Sequence, residues 1–183
     1  LSSKRYIKSF NNFLLKQVKL NKNSKILDIG CGRGKILGSL SSRLKLKSKP
    51  IGIDIETHRD RDRRIHFKKV NAVDFIKRNK KKFDLIMIKQ TIHLLKYKEI
   101  KKLVYNCKMH LNQNGKILIL SLETSNNEIP TFLLMKKNLK KSLDRDKKII
   151  KYISKLHPKN KNKRFSFKVK ISRDKYIQMI KNR

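Results

Sequence analysis

Asp28-x-Gly30-x-Gly32-x-Gly34 puts one carboxylate at the head of three glycines, each separated by a single residue. Glycine adopts positive φ at no steric cost and lets a ligand come close to the main chain, and a helix starting behind it offers free N–H groups. That combination suits a small polar ligand. A second carboxylate, Asp54, closes the short apolar run Ile51-Gly52-Ile53; taken alone, such a residue is ordinarily a turn or capping group. Two common nucleotide loops do not fit. A Gly-x-Gly-x-x-Gly fingerprint would need its third glycine at Lys35 or Leu37, and no Gly-Lys-Ser/Thr follows at Walker spacing, which disfavours NAD and ATP.

The surrounding elements must position these groups. Tyr6, Ile7, Phe10, Phe13, Leu14 and Val18 fall at helical spacing and predict an amphipathic helix over 2–19 that could cover the turn. Lys25–Ile29 predicts a strand, and Ile36, Leu37, Leu40 and Leu44 predict the helix after it. Further strands are expected at Pro50–Ile55, His66–Ala72, Phe83–Lys89 and Lys116–Leu122, with a short helical piece around Asp74–Lys80 and a helix over Tyr97–Leu111 ended by Asn114-Gly115. Strands alternating with helices imply an α/β doubly wound, mostly parallel sheet whose ligand lies beyond the carboxyl ends of the strands. Glu56–Arg64 has no apolar stripe and predicts a loop, with Asp60 and Asp62 among the arginines marking it as a solvated charged loop. After residue 122 the pattern predicts helices around 130–143 and 145–156, a basic loop at 158–164, a strand-like Phe165–Ile171 and a terminal helix from Ser172.

Ile26-Leu27-Asp28-Ile29-Gly30-Cys31-Gly32-Arg33-Gly34 resembles motif I of the class I S-adenosylmethionine-dependent methyltransferases, of the methyltransferase-domain, small-molecule-like type. The resemblance implies a Rossmann-like sheet in the order 3-2-1-4-5, with S-adenosylmethionine as cofactor and S-adenosylhomocysteine as product. Gly30, Cys31, Gly32 and Gly34 would pass under the methionine portion, and Asp28 would help hold its amino group. Asp54 would accept from both ribose hydroxyls, with Ile55 beside it. Asn71 and Ala72 stand where the family meets the adenine, Asn71 replacing the usual Asp and Asp74 offering a fallback. Lys89 closes the fourth strand against the cofactor. Thr91-Ile92-His93-Leu94-Leu95 matches the loop facing the transferred methyl, which makes His93 the candidate catalytic residue for deprotonating or orienting an acceptor. Leu111-Asn112-Gln113-Asn114-Gly115 stands where Leu-Lys-Pro-Gly-Gly is usual. The resemblance spans roughly residues 20–122.

The expected organisation is a single domain: 1–20 an N-terminal helix, 21–122 the cofactor-binding core, and 123–183 a helical, substrate-cap region. The family's closing antiparallel hairpin is expected to be missing, with Ile171–Ile180 leading into a cap and the hairpin lying beyond Arg183. The net charge of +37 makes RNA a possible partner. The excess is mostly Lys and spread along the chain, as a compositional bias would give, whereas a nucleic-acid face concentrates Arg and aromatics. Signatures of nucleic-acid methylation are missing: Lys89-Gln90-Thr91 replaces an Asn/Asp-Pro-Pro-aromatic motif, no Lys-Asp-Lys-Glu set is present, and Cys107 lies on an apolar helix face. A small-molecule acceptor is therefore expected, with an RNA acceptor or a non-catalytic binding module as alternatives. Two distant cysteines indicate neither a disulfide framework nor a metal site. No run reaches the ~18–20 apolar residues of a membrane span. A cytoplasmic protein is expected, its oligomeric state open.

Overall fold

The two middle strands show why the sheet is parallel and covered on both sides. β1 (Ile26–Ile29) is buried at every position, and β4 (Phe83–Lys89) is buried at all but Asp84 and Lys89, so neither strand has a solvent face. In this computed structural model, which describes residues 4–121, 133–168, 172–174 and 177–178, the two strands pair parallel with Asp28 opposite Met87. β2 (Ile51–Asp54) and β3 (His66–Lys69) extend the sheet on one side and β5 (Leu111–Leu120) on the other. The order is β3-β2-β1-β4-β5, as the methyltransferase resemblance implies, and every neighbouring pair is parallel, as the strand–helix alternation predicts.

Alternation along the strands divides the core in two. Leu27, Ile29, Ile53, Ile86 and Ile88 pack against α3 (Ala72–Arg78), α4 (Tyr97–Met109) and α5 (Leu133–Leu156) through Ile76, Ile100, Leu103, Val104, Cys107, Ile149 and Ile153. Ile26, Leu85 and Met87 face α1 (Lys4–Gln17) and α2 (Lys35–Leu44) through Phe10, Leu14, Leu37 and Leu40. Phe83 and Leu85 lie in different clusters although two residues apart. The β4–β5 register is irregular at the same place, the extra residues falling on β5 between Leu111 and Lys116.

Several expected boundaries move, each for a local reason. The third strand stops at Lys69 instead of running to Ala72, because Asn71 caps α3 and accepts from the N–H groups of Val73 and Asp74. The fourth helix ends at Met109, and β5 begins at Leu111 rather than Lys116. Asn114 takes φ 69° within that strand, so the Asn-Gly pair is absorbed as an irregularity instead of ending pairing. A Cβ at Gly115 would stand 2.7 Å from the Phe83 carbonyl oxygen, which explains the glycine at this close approach.

The helices expected at 130–143 and 145–156 are one helix, α5. Asp144-Arg145-Asp146 interrupts the apolar stripe without breaking the backbone, because Arg145 and Asp146 bind the loop after β4. Phe165–Lys168 forms no strand, and the rest of the strand-like Phe165–Ile171 lies outside the described residues. Phe165 instead packs its ring against Phe10 and Phe13 of α1, with centroids 5.5 and 5.2 Å away. Ser172 is not helical, residues 173–174 and 177–178 are, and the rest of the helix expected from Ser172 lies outside the described residues.

Because Ile149 is 1 % exposed, α5 belongs to the core and is not a loose appendage. Ile149→Ala is expected to cost about 2–5 kcal/mol, seen in urea unfolding as a lower midpoint with an unchanged slope.

Candidate cofactor site

The glycine turn hangs from β2. The N–H groups of Gly30 and Cys31 both donate to the Ile53 carbonyl, at 2.9 and 3.0 Å, and the N–H of Gly34 donates back to Cys31 at 2.9 Å. Gly30, Gly32 and Gly34 have φ of 69°, 53° and 68°, the left-handed region in which other residues are strained. They are not equivalent. A Cβ at Gly30 would fall 1.8 Å from Thr91 Oγ1 and one at Gly34 2.3 Å from Ile65 Cδ1, so both are closed in by packing. At Gly32 nothing lies within 4 Å of that position. The turn is therefore tight on two sides and open in its middle.

Asp54 borders the opening. One carboxylate oxygen accepts from the Gly32 N–H at 2.7 Å and the other from the Glu56 N–H at 3.1 Å. An ionised carboxylate has roughly four acceptor sites, so capacity remains for a ligand's hydroxyls. Ile55, next to it, is 56 % exposed, an apolar surface at the rim. Asn71 lies at the end of β3, its amide oxygen engaged by the α3 cap, and Ala72 opens that helix.

Asp28 is fully buried and does not reach the opening by itself. Lys89 stands two residues beyond Met87, the residue opposite Asp28, and thus on the same face; its Nζ lies 2.5 and 2.6 Å from the two carboxylate oxygens. Burial pushes the Asp28 carboxyl up from its ordinary value, against the opposing pull of Lys89. The resemblance implied that Asp28 holds an amino group; in the structure an ammonium of the chain itself already occupies that carboxylate. Cys31 turns its side chain into the core, where Gly52 leaves room for it: a Cβ there would meet Cys31 Sγ at 2.8 Å. Burial, reinforced by the nearby Asp28 and Asp54 carboxylates, pushes its thiol up to about 12, so Cys31 serves the turn through its backbone and is no nucleophile.

His93 lies in a 3₁₀ turn, Ile92–Leu94, directed toward α5 and Asp146. Thr91, just before it, bonds the Lys89 carbonyl through its hydroxyl at 2.8 Å and covers Gly30. Glu56–Arg64 forms no helix, as expected, but it is not uniformly solvated. Asp62 is 9 % exposed, accepts from Arg64 and sits against Gly38 of α2, where a Cβ would meet its carboxylate at 2.3–2.5 Å. Bonds from the Arg64 side chain hold the Asp62 carboxyl below its ordinary value. Gly38 and Asp62 are thus a matched pair across a stretch of sequence with no periodic signal.

A large cavity of about 1140 Å³ lies elsewhere, along β5 and α5, lined by Phe13, Leu118, Leu120, Ile150 and Ile153. None of the residues around the glycine turn lines it. The turn has the positive-φ backbone and the free acceptor capacity, which make it the candidate cofactor site. Among the described residues no group of three His, Cys, Asp or Glu side chains could hold a metal ion.

Residues 27–117 match the family model described as a methyltransferase domain. The fold is shared with a S-adenosylmethionine-dependent methyltransferase from Clostridium acetobutylicum, at 16 % identity and TM-score 0.50, over 62 % of this chain and 49 % of that one. It is shared also with an O-methyltransferase family protein from Burkholderia thailandensis, at 18 % identity and TM-score 0.50, over 77 % and 48 %. A third is a S-adenosylmethionine-dependent methyltransferase from Thiobacillus denitrificans in complex with S-adenosyl-L-homocysteine, at 16 % identity and TM-score 0.50, over 64 % and 48 %. No curated protein matches the sequence. The chain belongs to the class I S-adenosylmethionine-dependent methyltransferase family. It spans about half the length of these three structures.

Removing Lys89 leaves Asp28 buried without its counter-ion. Lys89→Met is expected to cost about 3–5 kcal/mol. The sign of its pH dependence follows from the raised Asp28 value. Between the unfolded and folded pKa the folded protein keeps a proton that the unfolded chain has lost, so stability falls as pH rises. Without Lys89 the folded value moves higher and that window widens. Urea unfolding at a series of pH values should show the loss growing from acid toward neutral pH, and Asp28→Asn in the Lys89→Met background should remove the dependence.

Proposed function

We propose that this protein transfers the methyl group of S-adenosylmethionine to a small-molecule acceptor, releasing S-adenosylhomocysteine. The observation carrying this reading is the pairing of an open, left-handed Gly32 with the Asp54 carboxylate bound to its N–H. The cofactor, when bound, supplies a methyl group already activated by its sulfonium, so the protein's work is to orient the acceptor and exclude water. Gly32, open above its Cα, gives the methionine portion bare main chain to lie against, with Gly30 and Gly34 shaping the turn on either side. Asp54 accepts from the ribose hydroxyls, Ile55 and Ala72 flank the adenine, and Asn71 lies at that end of the crevice. Lys89 neutralises Asp28 and offers its remaining N–H to the cofactor's carboxylate. His93, beyond β4, takes the acceptor's proton.

A small acceptor is supported by Lys89-Gln90-Thr91, where nucleic-acid enzymes of this fold carry their base-holding motif, and by Lys89 being engaged with Asp28. The two free thiols, Cys31 and Cys107, both buried, suit a cytoplasmic protein. No helix among the described residues is long and apolar enough to cross a membrane. An RNA acceptor is the second reading, favoured by Arg59, Arg61 and Arg63 around a 360 Å³ pocket with Arg61 stacked 4.2 Å from the Phe67 ring centroid. Salt-sensitive RNA binding lost on replacing these arginines would favour it over the small acceptor.

Calorimetric titration of S-adenosylhomocysteine tests the cofactor reading. Loss of charge-assisted hydrogen bonds of about 1.5–3 kcal/mol predicts roughly 10- to 150-fold weaker binding by Asp54→Ala. Equal affinity in the folded variant would remove Asp54 from the site.

A further inference from the structure

His93 and Asp146 meet across the junction of the β4 loop with α5. His93 Nδ1 lies 3.3 Å from Asp146 Oδ1, and the Asp146 side chain is 5 % exposed. Both atoms are buried, and neither makes a formed hydrogen bond among the described residues: the pair stands at ion-pair distance without full alignment. A buried carboxylate oxygen and a buried ring nitrogen are each costly to leave unmet, and here each has the other as its neighbour. The juxtaposition is fixed independently by the preceding residue. Arg145 donates through Nε to the His93 carbonyl at 2.7 Å and through a terminal nitrogen to the Leu95 carbonyl at 3.0 Å. Ile149 and Ile153, one and two turns on, anchor the same helix in the core. Two adjacent residues of α5 therefore grip the loop, one through its main chain and one through its imidazole.

This grip has a chemical consequence. An acceptor at Nδ1 selects the tautomer carrying its proton there, and leaves Nε2 with a free lone pair. His93 keeps 23 % of its side chain exposed while Nδ1 is buried, so the accessible part of the ring is its other edge. Resting on the methyltransferase reading above, we propose that Asp146 is a positioning residue that holds His93 with Nδ1 protonated and Nε2 free to take the acceptor's proton. As the acceptor's lone pair bonds to the methyl carbon, the electrons of the breaking carbon–sulfur bond stay on sulfur. The acceptor's proton passes to Nε2. The imidazolium so formed faces Asp146, which keeps its charge throughout.

The test needs neither cofactor nor acceptor, so its failure is distinct from failure of the methyltransferase reading. Two-bond nitrogen–proton correlation spectra of the ¹⁵N-labelled full chain, at a pH where imidazoles are neutral, report the tautomer of each of its five histidines, and His93→Gln assigns the relevant one. The expected result is a protonated Nδ1 and an unprotonated Nε2 in His93. Asp146→Ala should shift the population to the Nε2–H form favoured by free histidine, and Asp146→Asn, which retains an acceptor oxygen, should restore Nδ1–H. An Nε2–H tautomer in the unaltered protein overturns the proposal even if Asp146→Ala does not fold. So does an unchanged tautomer in a folded Asp146→Ala.

Discussion

Two N–H groups share one carbonyl oxygen at the centre of this structure: Gly30 and Cys31 both donate to Ile53. That contact ties the turn after β1 to the end of β2, and the rest of the crevice follows from it. With the turn fixed there, the Gly32 N–H is presented to Asp54, Cys31 is folded under against Gly52, and α2 starts at Lys35 directly behind the third glycine. Each of these requires positive φ at positions where a side chain would be strained, and two of the three glycines also lack room for one. Gly32 alone of the three has room, and the open space above it is the property a binding turn has and a packing turn lacks.

Beneath the crevice lies the opposite arrangement, a pair of charges shut in almost completely. The Asp28–Lys89 pair spans β1 and β4 at their carboxyl ends, with side-chain exposures of 1 % and 10 %. Such a pair adds little net stability over an apolar one, since desolvation offsets the attraction. Its effect is to set the charge under the glycine turn: an unpaired carboxylate there would attract a cation or take up a proton. With Lys89 present, the carboxylate is matched by the chain itself. The carboxylate left to face the opening beside Gly32 is Asp54.

The central fold was legible because it follows from local rules. Buried parallel strands read as continuous apolar runs, the helices between them keep a 3.6-residue stripe, and glycines in β-turn-α spacing mark the ligand end of the sheet. That was enough for a parallel, doubly wound sheet with Gly30, Gly32, Gly34 and Asp54 at the carboxyl ends of its strands, while the strand order came with the family resemblance of the glycine motif. What stayed hidden was tertiary pairing between distant residues. Asp28 and Lys89 are 61 residues apart. Asp62 and Gly38 pair without any periodicity to announce them, and the roles of Arg145 and Asp146, at the start of the helix expected over 145–156, were hidden because their partners in the loop after β4 are set by the fold alone. Asn71 was ambiguous for another reason: the same residue type suits a helix cap and a ligand contact, and the cap claims its amide oxygen.

The account turns on whether the open space above Gly32 is where the cofactor lies. A Cβ at that position has no heavy atom within 4 Å, so a leucine there carries its bulk into the open space, at a backbone cost of about 1–2 kcal/mol for its left-handed conformation. Calorimetric titration of S-adenosylhomocysteine into Gly32→Leu, with folding checked by circular dichroism and thermal melting, is the most direct measurement. The predicted result is a folded protein that no longer binds. Unchanged affinity in a folded Gly32→Leu would contradict the account and move the cofactor away from the glycine turn.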